Sequence, residues 1–310
     1  MTEPGPIFVL ASFVAACSAK VSRLPQPGES QTAQAFTLEA GGKGLNLAMG
    51  ARRLGAQVDG LLAIGDDLFA ALAAPALARA GLPERMLRRF DGPTGSGVGF
   101  TDQHGENCLA VFPGANLRLS AAEVRAAAEP VRQAKLVLAQ FEVGDAPIAE
   151  AFRLARASGA RTLLNPSPFR AIDPDILAHC SILVLNRVEA FAALGLEASK
   201  RAEPEAMQDL AAQLMAGGPE AVVVTLGADG ALLCRRDAAP LYQPAFEVET
   251  VDTLGAGDAF AAGLAVSLVE GHGWALALRR AAACGALATR KLGVFDALPT
   301  REELENFLKP

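Results

Sequence analysis

Asp252-Thr253-Leu254-Gly255-Ala256-Gly257-Asp258-Ala259-Phe260 places two glycines in a tight turn and a carboxylate where an apolar helix begins. Gly255 and Gly257 let backbone approach a ligand without a Cβ in the way. A helix starting near Ala256 aims its first, unpaired N–H groups at the same spot, which suits an anion such as phosphate. A carboxylate beside an anion site is repulsive unless it has chemistry to do, such as taking a proton from an attacking hydroxyl. Taken alone, the pattern also fits an ordinary capping Asp after a Gly turn.

Working outward, short β-rich runs alternate with alanine- and leucine-rich helical stretches. Strands are expected at 7–10, 58–64, 136–140, 161–165, 182–185 and 221–226, and helices at 45–54, 69–80, 121–128, 147–158, 188–193 and 204–215. Strand–helix–strand spacing of this kind predicts an α/β fold: a Rossmann-like, mostly parallel sheet flanked by helices, with ligands beyond the carboxyl ends of its strands. Residues 12–40 and 94–112 break the alternation. The second segment reads as a hairpin, with 97–100 and 108–112 flanking the polar turn 102–107. Together they are expected to form a small β lid within a single domain spanning residues 1–310, which would exclude water from a transferred group. The lid carries apolar Val98, Phe100, Leu109 and Val111, expected either to cover the site or to meet a second copy of the chain.

Composition excludes several classes. The 310 residues carry 28 basic against 34 acidic side chains, a net charge of −6, so no electrostatic footprint for nucleic acid exists. The apolar run 7–17 is preceded by Glu3 and followed by Lys20 and Arg23, the reverse of a secretory signal, and no stretch reaches bilayer-spanning length. A cytoplasmic protein with no membrane partner is expected. Five scattered cysteines and three histidines fit no disulfide framework, zinc spacing or nucleophilic triad.

A second glycine cluster, Gly41-Gly42-Lys43-Gly44-Leu45-Asn46, precedes a helix of small and apolar residues. It lacks the Walker spacing. Backbone amides, an amine and a side-chain amide converge there within six residues, which suits sugar hydroxyls. The run Gly95-Ser96-Gly97-Val98-Gly99 is followed by no helical pattern and reads as a lid strand.

With these motifs assembled, the chain resembles the ribokinase-like (PfkB) family of sugar kinases over nearly its whole length. The resemblance rests on 41–46, Gly114-Ala115-Asn116, Asn186-Arg187-Val188-Glu189, Val224-Thr225-Leu226-Gly227-Ala228-Asp229-Gly230 and 252–258, in the family's order. It implies an ATP-dependent kinase acting on a primary hydroxyl of a small sugar or sugar-like metabolite. Asp258 would be the catalytic base, with the amides of Gly255, Ala256 and Gly257 as anion hole. Gly42, Lys43, Asn46 and Glu142 would bind the acceptor, and Asn186, Thr225, Gly227 and Gly230 the nucleotide. Glu189 would hold magnesium through water, or simply charge a helix N-terminus. Asp252, Leu254 and Gly293 would form a potassium site, although 294–297 depart from the small polar pattern of relatives. A homodimer through the lid is also expected.

The acceptor side departs from the family most. Where ribose-phosphorylating members present an Asn and an Asp, this chain has Val14 and Ala16. Losing the carboxylate removes charge-assisted hydrogen bonds of roughly 1.5–3 kcal/mol, which favours a less polar or larger acceptor over plain ribose. A nucleoside kinase of the same family and a catalytically silent sugar-binding regulator stay open as alternatives. Ala281 replaces a polar residue often found near the adenine in relatives.

Overall fold

The computed structural model describes residues 5–103, 107–196 and 204–309. Its strands, among the described residues, are β1 Ile7–Ala11, β2 Val14–Lys20, β3 Ala35–Gly41, β4 Val58–Ile64, β5 Leu87–Arg89, β6 Ser96–Thr101, β7 Asn107–Phe112, β8 Leu136–Gln140, β9 Arg161–Asn165, β10 Ile182–Asn186, β11 Ala221–Thr225, β12 Ala231–Arg235 and β13 Ala238–Gln243. The helices are α1 Lys43–Arg53, α2 Ala73–Ala80, α3 Ala121–Ala126, α4 Ala128–Gln133, α5 Asp145–Ala157, α6 Pro174–Ala178, α7 Arg187–Ala193, α8 Pro204–Ala216, α9 Ala256–Val269, α10 Trp274–Ala288 and α11 Arg301–Leu308.

Nine strands form the main sheet in the order β13-β12-β11-β10-β9-β8-β1-β4-β5. Seven run parallel, and the hairpin β12–β13 closes one edge antiparallel. Parallel strands covered on both faces read as continuous apolar runs, because alternate side chains enter different cores. In β1, Ile7, Val9 and Ala11 join the core beneath α1, α9 and α10, while Phe8 and Leu10 join the core beneath α5 and α8. The expected mostly parallel, helix-flanked sheet is therefore present.

Chain order reverses at β1, which has β4 on one side and β8 on the other. A crevice opens at such a switch point, beyond the strands' carboxyl ends. The segments leaving β1 and β8 carry Ser12 and Glu142 to it.

A second sheet, ordered β3-β2-β6-β7, grows from the end of β1. Asn116 ties its root, accepting from Phe13 N–H at 2.9 Å and donating to Phe13 C=O at 2.8 Å as a neighbouring strand would. Ser96 to Gly99 lie in β6 of this sheet, directly after Gly95, as their lack of a following helix predicts. Residues 104–106 of the expected hairpin turn lie outside the described residues.

Several boundaries differ from the sequence reading. The stretch 69–80 opens as a 3-10 turn at Leu68–Leu72, capped by Asp67, before α2 begins. The stretch 121–128 splits into α3 and α4. No helix of the described residues is long and apolar enough to cross a membrane. All five cysteines are free, and burial pushes the Cys180 and Cys284 thiols up to about 12.

Candidate active site

Gly255 has φ 76°, a left-handed conformation that turns the chain into α9. A Cβ there would fall 2.7 Å from Val294, so glycine satisfies both backbone and packing. Among the described residues the N–H groups of Gly255 and Gly257 have no protein acceptor, whereas Ala256 N–H leans 3.3 Å towards Thr253 C=O. A Cβ on Gly257 would meet nothing within 4 Å, so the space in front of this turn is open. Of the three amides expected to form an anion hole, Ala256's is thus already partly engaged.

Asp258 stands in the first turn of α9, only 4% exposed. Burial holds its carboxyl above the usual carboxylate range, opposed by the Lys43 charge and by a hydrogen bond from Asn46. Asn46 Nδ2 donates to Asp258 Oδ2 at 2.8 Å, while Asn46 Oδ1 is buried with no partner. An orphaned buried acceptor is costly unless a ligand donates to it.

Gly42, at φ 108°, follows the last residue of β3 and is the N-cap of α1. Gly44 lies so close to β1 that a Cβ would fall 2.1 Å from Ser12 N. This approach brings together the groups of the switch point. Ser12 Oγ donates to Glu142 Oε2 at 2.6 Å and accepts from Gly44 N–H at 2.9 Å, and Lys43 N–H donates to the same Glu142 oxygen at 2.8 Å. Burial raises the Glu142 pKa; Ser12 and Lys43 oppose the shift and the charge of Asp258 adds to it. Gln140 Nε2 reaches Leu10 C=O at 3.3 Å and its Oε1 accepts from Glu142 N–H at 2.5 Å, joining the two strand ends. Ser12 and Gln140 were not singled out in the sequence; only the topology shows that the ends of β1 and β8 meet.

Three and four strands from β1, Asn186 and Thr225 end β10 and β11 as register partners. Asn186 and Glu189 form a reciprocal capping box at 2.9 Å in each direction, which fixes both side chains at the N-terminus of α7. Gly227 and Gly230 both have positive φ in the turn after β11; a Cβ on Gly230 would fall 2.1 Å from Gln243 C=O. Asp252 accepts from Leu254 N–H and Gly293 N–H, both at 3.0 Å, which brings the three residues of the expected potassium site into one pair of loops. No cluster of three or more His, Cys, Asp or Glu suited to a metal occurs among the described residues.

Two readings gain geometric detail. Pairing places Val98 and Phe100 on one face of the lid sheet and Leu109 and Val111 on the other, so the four do not form one surface. Ala281 is fully buried; the α10 residue beside the Gly255–Gly257 turn is Gly285, where a Cβ would lie 3.4 Å from Ala256 C=O.

The model of the pfkB family of carbohydrate kinases matches residues 6–301. Mouse ribokinase is 31% identical over 307 residues, covering 97% of this chain and 94% of that protein. A deoxyribokinase of Salmonella typhi is 30% identical, covering 97% and 98%. The structure of Arabidopsis thaliana ribokinase complexed with ribose and ATP superposes with a TM-score of 0.90 at 28% identity, covering 100% of both chains. With this match over nearly its full length and a ribokinase-like α/β fold, the chain belongs to the pfkB family of carbohydrate kinases.

Proposed function

We propose that the chain is an ATP- and magnesium-dependent kinase that phosphorylates a primary hydroxyl of a small sugar, working as a single domain over residues 1–310 with the second sheet as its lid. The observation that carries this reading is the buried Asp258–Asn46 pair beside the Gly255–Gly257 turn. The acceptor lies between the lid and the switch point, held by Gly42, Lys43, Asn46 and Glu142. Its reacting hydroxyl donates to Asp258 and loses its proton there, while a neighbouring hydroxyl of the acceptor donates to the unpartnered Asn46 Oδ1. The resulting oxygen forms a bond to the γ-phosphorus of ATP in line with the breaking bond to the β-phosphate oxygen, and ADP leaves. Gly255 and Gly257 N–H groups, with Ala256 once released from Thr253, meet the charge on the moving phosphoryl group.

Asn186, Thr225, Gly227 and Gly230 lie at adjoining strand ends suited to a nucleotide. A capping carboxylate and an amide, without a cluster of acids, suit magnesium held through its own waters. Asn186 and Glu189 would hold it, and the ion would neutralise phosphate charge. Asp252, Leu254 and Gly293 would hold potassium. A homodimer is proposed through the lid face bearing Phe36 (64% exposed), Leu38, Val98 and Phe112, which sedimentation velocity tests. We place the protein in the cytoplasm, where its five free thiols stay reduced.

ADP release measured across pentoses, hexoses and nucleosides tests the assignment. Turnover that disappears in Asp258→Ala while acceptor binding persists supports it. Binding without turnover in the unaltered protein refutes it in favour of a sugar sensor. Preference for a nucleoside is the second reading, favoured by apolar Val14 and Ala16.

A further inference from the structure

Ser12 points its hydroxyl at Glu142, while the next residue, Phe13, enters the core beneath α1 and α9. Side chains of an extended chain alternate, so Val14, Ala16 and Ser18 follow Ser12 on the face turned to the acceptor. The packing agrees: a Cβ on Gly97 would lie 3.4 Å from Val14 Cγ1 and 3.6 Å from Val111 Cγ2, and one on Gly41 would lie 3.5 Å from Ala16 Cβ. Near the root this face is bare of polar groups. The opposite face is apolar throughout β3, with Phe36, Leu38 and Ala40.

One charged residue interrupts the acceptor face of β3. Glu39 pairs directly with Ala16 across the β2–β3 ladder and therefore shares its face. It is exposed, and no hydrogen bond or ion pair within the described residues occupies it. Directly opposite residues have Cβ atoms roughly 4.5–5.5 Å apart, a gap a glutamate side chain spans.

We propose that Glu39 is a specificity-determining residue that supplies, from the neighbouring strand, the hydroxyl-binding carboxylate that position 16 lacks. The inference rests on the kinase reading above and names the substrate class more narrowly: a polyol with at least two hydroxyls beyond the one phosphorylated. Those distal hydroxyls donate to Glu39, while Val14 and Ala16 face a C–H edge of the acceptor.

Steady-state kinetics on the full chain with D-ribose, 2-deoxy-D-ribose, D-xylose and adenosine decide it, comparing Glu39→Ala, Glu39→Gln and Glu39→Ala combined with Ala16→Asp. The expected result is an acceptor KM raised roughly 10- to 100-fold in Glu39→Ala, the worth of one charge-assisted pair. kcat and the KM for ATP stay within about threefold, because Glu39 belongs to β3 of the second sheet and not to the turn that carries Asp258. Glu39→Gln loses part of the affinity, and the double variant recovers most of it. A merely structural role would move the thermal midpoint and would not be rescued by a carboxylate on the facing strand. An unchanged acceptor KM in Glu39→Ala, with the unaltered enzyme active, overturns the inference and leaves the kinase reading standing. If the unaltered enzyme turns over none of the four, calorimetric titration with the same sugars replaces kinetics. Sugar binding that ignores Glu39→Ala then overturns the inference, and no binding at all overturns both.

Discussion

Asp258→Asn changes one oxygen to an amide nitrogen and keeps the shape of a fully packed site. The Asn46 pair survives, since an amide oxygen still accepts from Asn46 Nδ2 and Asn46 Oδ1 stays available to the acceptor. What is lost is the ability to take a proton. General-base catalysis contributes about 10²–10⁴ in rate, so kcat should fall by that factor, or roughly 3–5 kcal/mol of barrier, with acceptor binding nearly unchanged. In the unaltered enzyme kcat/KM should fall on the acid side through an apparent pKa above the usual carboxylate range, because burial raises the Asp258 pKa. Stability moves the opposite way to activity. A carboxyl whose folded pKa lies above its unfolded one keeps its proton longer in the native chain. Stability then declines as pH climbs from the unfolded value through the folded one, with the full cost present above both. The substituted amide carries no such cost, so the variant should melt higher than the parent at pH 8 and no higher near pH 3. Coupled ADP release and differential scanning fluorimetry across pH measure the two halves. A variant retaining a tenth of the parent's kcat, or one less stable at pH 8, would refute the placement of a buried, ionised base at this turn.

Gly44→Ala should cost at least about 3 kcal/mol, beyond ordinary overpacking, because its Cβ would fall 2.1 Å from Ser12 N and 2.5 Å from Ala11 Cα, with backbone on every side; urea unfolding reads this. Arg280→Ala should also cost about 3 kcal/mol, roughly a 6 °C fall in Tm, since buried Arg280 bonds Ser267 at 3.1 Å and Glu305 at 2.7 Å and lies 3.5 Å from buried Glu270. Catalytic constants per folded molecule should not change in that variant. Potassium should raise kcat over lithium at equal ionic strength, and Asp252→Ala should abolish the difference by freeing Leu254 and Gly293; equal rates in both salts would remove the cation site.

The main sheet was legible because both-faces-buried strands have few sequence alternatives: runs such as Leu136-Val137-Leu138-Ala139 are too short for a helix and too apolar for a solvated strand. The β12–β13 hairpin was missed, since its strands alternate weakly and β13 is largely exposed. Lid strands β2 and β3 hid for a similar reason, their alanines and threonine carrying no strong period. Glycine motifs located Asp258 and Asn46 as separate signals. Their 2.8 Å contact spans 212 positions, a long-range meeting that no local pattern encodes. Glu39 escaped for a related reason: beside Ala40 and Gly41 it looks like any edge-strand charge, and only the register opposite Ala16 gives it meaning.

That register also bears on how the acceptor site can change without loss of the chemistry. Lys43, Asn46 and Asp258 are held by helix starts and by the Ser12–Glu142 bond at the switch point, so their positions follow from the packed core. The lid touches this core through Phe13, Asn116 and the turn at Gly42, and beyond those anchors its strands are tied mainly to one another. On the proposed reading, a residue exchanged between facing lid strands would alter which hydroxyls are met while leaving Asp258, Asn46 and the Gly255–Gly257 turn where they are. If those roles hold, acceptor preference and phosphoryl transfer are physically separable: substitutions on β2 and β3 should act on acceptor KM, and substitutions at the start of α9 on kcat.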